Sequence, residues 1–239
     1  MRRTVLILLA QVAAAAPLAA QFEGTVTMKV SAGPQNSPMD MKMVSKGDLQ
    51  ATILTMPANT GPMAGMEMRM VFDPRTSTAT TLMPLPPGLS QMPALANAKG
   101  IKTVIDLAKV SASNGPQSDE TVDVKKLGTT ETVAGVECQD YEISSSKGKS
   151  MRACISQSLG HFLFPQMNSP MGGRGGANAP AWTKAFGTHP GFPLKVWSTD
   201  GEVAMEVTSV QRGSVPASIF EIPEDYVDMS AMFRGRGGL

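Results

Sequence analysis

From Phe22 onward apolar and polar residues alternate one by one, and clusters of turn formers punctuate the alternation. In an extended chain successive side chains point to opposite faces, so a period of two commits the protein to half-buried antiparallel strands. FEGTVTMKVS (22–31) sets Phe22, Val26, Met28 and Val30 against Glu23, Thr25, Thr27, Lys29 and Ser31. MDMKMVS (39–45) repeats the pattern with Met39, Met41 and Met43, and Lys46-Gly47-Asp48 turns it into LQATILTM (49–56). After a Pro/Gly-rich loop the stretch from Met66 to Phe72 alternates again. Asp73-Pro74-Arg75-Thr76 then places proline second, where its fixed φ suits a type I turn, ahead of TATTLM (78–83). Four or five consecutive meander strands are expected.

Helical spacing is confined to the middle of the chain. LSQMPALANAKGIKTVIDLAKVSA (89–112) carries Leu95, Ile101, Val104, Ile105 and Leu107 at mixed helical intervals, interrupted by Pro93 and Gly100. The pattern predicts two short helices, over 90–98 and 101–110, too short to stand alone and therefore laid on a sheet. Strands resume with TVDVKKL, ETVAG and a hairpin, VECQDYEI (136–143) against SMRACI (150–155). Centring that hairpin on Ser146 sets Cys138 directly opposite Cys154 and Asp140 opposite Arg152, which brings the two cysteines near disulfide distance. A disulfide is expected in an oxidising compartment; a redox pair would call for C-x-x-C, which is absent, and the remaining alternative is two free thiols. In the last hairpin, FPLKVWST and EVAMEVTSV flank Asp200-Gly201, the dipeptide of a type I′ turn. Its register pairs Leu194 with Val207, Lys195 with Glu206, Val196 with Met205 and Trp197 with Ala204.

The compartment is legible at the N-terminus. Met1-Arg2-Arg3, an uncharged apolar run from Thr4 to Ala16, and Pro17-Leu18-Ala19-Ala20 read as a signal peptide over 1–20. The expected location is periplasmic or secreted, without a lipobox cysteine and without a segment of the roughly 20 apolar residues a spanning helix needs. Loss of Arg2 and Arg3 takes Lys+Arg from 21 to 19 against 20 Asp+Glu, so no strong field remains to recruit nucleic acid. Residues 21–232 read as one β domain with a flexible loop at 167–181, and 233–239 as a disordered Gly/Arg tail. A sheet of about ten strands curls or splits rather than staying flat.

F-x-G-x-V-x-M-x-V at 22–30, V-F-D-P-R-T-S-T, V-A-G-V-E-C-Q-D-Y-E-I, F-P-L-K-V, and M-E-V-T-S-V followed by V-P-A-S-I-F-E-I-P occur in that order. Together they resemble an uncharacterised family of exported bacterial domains related to the lipoprotein localisation factors LolA and LolB. The likeness covers most of the chain after residue 20 and rests on structural motifs. It implies a mostly β fold, a curved antiparallel half-barrel with two or three short helices covering the concave face. It also implies an apolar ligand, such as a lipid or lipoprotein acyl chain, in the cavity between them.

Methionine carries much of the apolar pattern, at 18 of 239 residues against 5% aromatics. Met66, Met68 and Met70 share a strand face roughly 6.6 Å apart. They suit a packed core, a lining for ligands of varied shape, or a soft-metal site for Cu(I). The expected apolar site is Val26, Met28, Met41, Met43, Met66, Met68, Met70, Phe72, Leu95 and Ile105, with no cofactor and no metal. Catalysis is not expected. His161 and His189 are the only histidines and neither belongs to H-E-x-x-H; there is no G-x-S-x-G elbow or P-loop; Gly172-Gly173-Arg174-Gly175-Gly176 lacks the strand and helix that a phosphate cradle needs. Asp119 and Glu120 read as solvated loop charges, and Trp182 and Trp197 as packing anchors. The expectation is an exported binding protein; the alternatives are a structural or interaction module of the cell envelope with a packed core, or a Met-rich copper binder.

Overall fold

The computed structural model describes residues 22–31, 38–58, 60–86, 88–107, 121–146, 150–160 and 191–230. The expected signal peptide (1–20), loop (167–181) and tail (233–239), together with Asp119, Glu120, His161, His189, Trp182 and the glycine cluster at 172–176, lie outside the described residues. The strands are β1 (Gly24–Ser31), β2 (Pro38–Lys46), β3 (Leu49–Thr55), β4 (Glu67–Asp73), β5 (Thr78–Pro84), β6 (Gly100–Asp106), β7 (Val122–Val133), β8 (Val136–Ser145), β9 (Ser150–Ser156), β10 (Phe192–Ser198), β11 (Val203–Arg212) and β12 (Tyr226–Asp228). They form one open, curved sheet in the order β12-β6-β5-β4-β3-β2-β1-β11-β10-β9-β8-β7. Two antiparallel meanders, β1 to β6 and β7 to β11, meet where β1 pairs with β11. The β12–β6 pair is parallel.

The first five strands stand where the alternation places them. The helices do not. The segment expected to be helical over 90–98 forms two three-residue 3-10 turns, Leu89–Gln91 and Pro93–Leu95, because Pro93 has no N–H to continue a ladder. The expected helix over 101–110 is strand β6 as far as Asp106, and 108–110 lie outside the described residues. Ile101 and Ile105 are four apart, a spacing both periods allow, but stiff β-branched Ile101, Thr103, Val104 and Ile105 favour the strand. Pairing from Thr78↔Asp106 to Pro84↔Gly100 gives β5 its second neighbour. TVDVKKL and ETVAG fuse into the single strand β7, with an irregularity between Lys126 and Thr130 where the side chain of Gln139 bonds the carbonyls of Leu127 and Thr129.

Two hairpin registers differ from expectation. Cys154 lies opposite Asp140 rather than Cys138, and Arg152 opposite Glu142 rather than Asp140. A slip of two residues keeps every side chain on its face, so alternation cannot separate the two registers. Ser146, the expected centre, instead bonds Thr121 beside β7. Cys138 and Cys154 are thus diagonal neighbours, with Cα atoms 5.3 Å apart, and they form the disulfide. At the last hairpin Lys195↔Glu206 and Val196↔Met205 hold, but a bulge pairs Trp197 with Val203 rather than Ala204. The Ser198 N–H donates to the Glu202 carbonyl at 2.8 Å and closes a three-residue loop in which Gly201 alone takes positive φ (94°). Asp200 accepts from the Ser198 hydroxyl and then from the Glu202 N–H, which together hold its carboxyl below the ordinary range. The two-residue turn with both φ positive sits at Ala134-Gly135 (49° and 78°), between Val133 and its partner Val136.

The outer face of the first meander is closed by the chain's own C-terminal segment. Val44, Ala51, Val71 and Leu82 pack under Val215 and Phe220, with Ile219 and Tyr226 alongside. Arg69 donates to the carbonyls of Ser218 (3.3 Å) and Glu221 (3.1 Å), and Lys46 to that of Val215 (3.2 Å). An ion pair between Lys99 and Asp225 at 2.8 Å, whose hydrogen bond raises the Lys99 ammonium above its ordinary value, anchors the same segment where β12 begins. Among the described residues no helix is long and apolar enough to cross a membrane.

Two backbone positions carry opposite predictions. Gly24 sits at φ 153°, where a Cβ would collide with the Gln211 carbonyl across the β1–β11 pair. Gly24→Ala should lower stability by about 1–3 kcal/mol in urea denaturation. Ala134 occupies the left-handed region, which costs an L-residue roughly 1–2 kcal/mol and which asparagine tolerates. Ala134→Asn should raise the denaturation midpoint, by about 1 kcal/mol of stability.

Candidate functional site

Directly opposed residues in an antiparallel sheet share a face, so the register places the expected site residues without further assumption. Three rows run across the strands of the first meander. Met28, Met41, Leu54 and Met68 make the first. The second is Val26, Met43, Thr52, Met70, Thr81 and Thr103. The third is Ser45, Gln50, Phe72, Ala79 and Ile105. Met66 stands two residues before Met68, tied to Met56 by a backbone bond of 2.9 Å, and continues the line of β4. Leu95 comes in from the 3-10 turn and packs with Met83 and Ile101. All ten residues therefore serve one face, although Ile105 does so from a strand and not from a covering helix.

Burial divides this face in two. Val26 and Met28 are 0% exposed, Met43 1% and Met41 4%, in one cluster with Phe192, Leu194, Val196, Met205 and Val207 of the second meander. These four site residues are sealed core. Met66, Met68, Met70, Phe72 and Ile105 are only half buried, as are Thr52, Thr81 and Thr103 between them. Two adjoining sides of the patch are thus different in kind: packed β1 and β2 with Leu54 of β3, and beyond them a half-buried floor from β3 to β6, apolar with a line of hydroxyls and with Ala79 buried in it. At its border the Ser45 hydroxyl is buried and has no hydrogen-bond partner among the described residues. An unpaired buried hydroxyl costs about 1–3 kcal/mol.

The threonines and Ser45 were not singled out by the sequence: alternation puts Thr81 on the face of Ala79 and Met83, but its place opposite Met70 follows only from the pairing of Asp73 with Thr78. Asp73 itself is occupied by that turn: the Arg75 guanidinium pairs with it at 2.8 Å and holds its carboxyl below the ordinary range. Trp197 leans on the sealed cluster, with the Lys195 ammonium 5.5 Å from its ring centroid. Glu131, Asp140 and Cys154 approach one another within 4.8 Å, but the Cys154 sulfur is bonded to Cys138, so the three do not make a metal centre.

No curated protein sequence matches the chain. Among solved structures it is similar to one titled "Structure of PNGF-II in P21 space group", with a TM-score of 0.42 and 13% identity, over 82% of this chain and 30% of that one. The tie to LolA and LolB stays an expectation of the sequence. The family is plain: residues 22–226, nearly all of the described sheet, match the domain of unknown function DUF4412, and the chain belongs to that family.

Proposed function

We propose that this DUF4412 chain is an exported, non-catalytic binding protein that holds an apolar ligand, such as a lipid or a lipoprotein acyl chain, against the open side of its sheet. The observation that supports this reading is the change in burial along a single face, from 0% at Met28 to half-buried at Met68, Met70 and Phe72. Apolar side chains left accessible in a contiguous patch mark binding surfaces, and flexible thioethers adapt to ligands of varied shape. The threonine line and the unpaired Ser45 hydroxyl suit a ligand that carries a polar group at one end. A disulfide with no free cysteine beside it fits the oxidising compartment in which such a carrier would work.

Protein recovered from its native envelope and extracted with organic solvent should release an apolar molecule that native mass spectrometry sees bound to the intact chain. An empty, highly thermostable protein would favour the structural module instead and sink the carrier reading. Met70→Glu puts a charge on the floor, and affinity for the extracted ligand should fall by at least about tenfold with the circular dichroism unchanged. Ser45→Ala should separate stability from binding. The empty protein gains about 1 kcal/mol because an unsatisfied group is removed, while ligand affinity drops. Equal affinity in that variant would show that the ligand's polar group lies elsewhere.

A further inference from the structure

One cluster at the β12 end of the inner face is unusual in composition. Met83, Leu95 and Ile101 form its buried centre, and Met63, Met68 and Met229 pack against it. The four methionines come from four segments: the 3-10 turn Gly61–Met63, β4, β5 and the residue after β12. Met68 lies one residue before Arg69 and Met83 one residue after its partner Leu82, and Met68 packs against the cluster that contains Met83. On the next strand Val227 pairs with Ile101, and Met229, two residues on, shares its face while its N–H bonds the Lys102 carbonyl at 2.9 Å. Met63 is fixed by its carbonyl, which accepts the Met66 N–H at 3.1 Å.

We propose that Met63, Met68, Met83 and Met229 form an all-thioether site for a monovalent soft cation, Cu(I). Soft thioethers select Cu(I) over the hard and borderline divalent ions. Both cysteines are consumed by the disulfide, so methionine is the chain's remaining soft ligand. Ligands carried on four separate segments can meet one ion from different sides, as a three- or four-coordinate ion needs, whereas Met66, Met68 and Met70 lie in a line along one stretch of chain. Met83 is 8% exposed and its three companions half buried, so an ion can enter and then lose its water. The site takes the ion already reduced, and binding involves no electron transfer.

The test uses ligand-free full-length protein, anaerobically, with Cu(I) held by the competitor bicinchoninate. One Cu(I) per chain should pass to the protein, and the methyl resonances of Met63, Met68, Met83 and Met229 should shift while those of Met28 and Met205 stay. The double variant Met68→Leu/Met229→Leu keeps volume and apolarity and should bind Cu(I) at least about tenfold more weakly, with Met39→Leu as the unaffected control. Retention of all Cu(I) by bicinchoninate, or shifts centred on Met66 and Met70, would overturn the proposal. The resonance shifts are read on the wild-type chain and stand whether or not the variants fold.

Discussion

The pairing of β1 with β11 is the interaction on which the rest of the molecule depends. It joins the two meanders, and it does so between residues from opposite ends of the chain, Gly24 with Arg212 and Val30 with Met205. Closing so long a loop costs entropy before any contact is gained, although the cost grows only slowly with length. Burial offsets it: Val26, Met28 and Met205 are 0% exposed, Val30 and Val207 2%. The ladder also accommodates one extra residue, since the partner of Thr27 is Ser209 and that of Met28 is Val207. Thr208, left over in this bulge, donates its hydroxyl to the Thr27 carbonyl at 3.2 Å. Arg212 lies 5.3 Å from the Phe22 ring centroid and finishes the seam at its end.

From that seam the two faces of the first meander become unequal. The outer face is closed by residues 215–226, whose carbonyls are met by Arg69 and Lys46. A segment outside the sheet ladder needs partners for its carbonyls, and these two long cations reach across to supply them. The inner face is packed only as far as the second meander contributes to it, through Leu194, Val196, Met205 and Val207, in a cluster that reaches Leu54 of β3. Beyond Leu54 that contribution ends, and the positions at Thr52, Met68, Met70, Phe72, Thr81, Thr103 and Ile105 are left half open.

How much of this was legible follows from which residues carry a one-dimensional signal. Alternation fixed β1 to β5, and with them the face shared by Met28, Met41, Met43, Met68 and Met70, because face membership needs only the parity of a position. Register needs more than parity. The cysteine hairpin slipped by two and kept its faces, and the Asp200-Gly201 turn gained a residue because Asp200 bonds Ser198 and Glu202 instead of taking positive φ. Ile101 and Ile105 misread as helix because a spacing of four satisfies both periods. The strap at 215–226 and β12 show no alternation at all; V-P-A-S-I-F-E-I-P was conspicuous as a motif, but its place on the outer face depends on Arg69 and Lys46, far away in sequence. Exposure, which separates Met43 from Met70, is a tertiary property that no local pattern encodes.

The open side of the sheet also has a thermodynamic meaning. Fully burying a large apolar side chain contributes roughly 1.5–3 kcal/mol, so leaving Met66, Met68, Met70, Phe72 and Ile105 half exposed forgoes on the order of 5 kcal/mol in all. Net stabilities of whole domains are about 5–15 kcal/mol. A fold can leave that much unclaimed only if other parts supply it, and here they do: the sealed cluster draws on β1, β2, Leu54 of β3 and β7 to β11, and the disulfide between Cys138 and Cys154 lies within it, worth about 3 kcal/mol for a loop of that length. The tightest packing is therefore concentrated in the second meander and the seam. The first meander beyond β2 keeps its apolar floor accessible at a stability cost that a bound apolar partner, by covering the same side chains, would return.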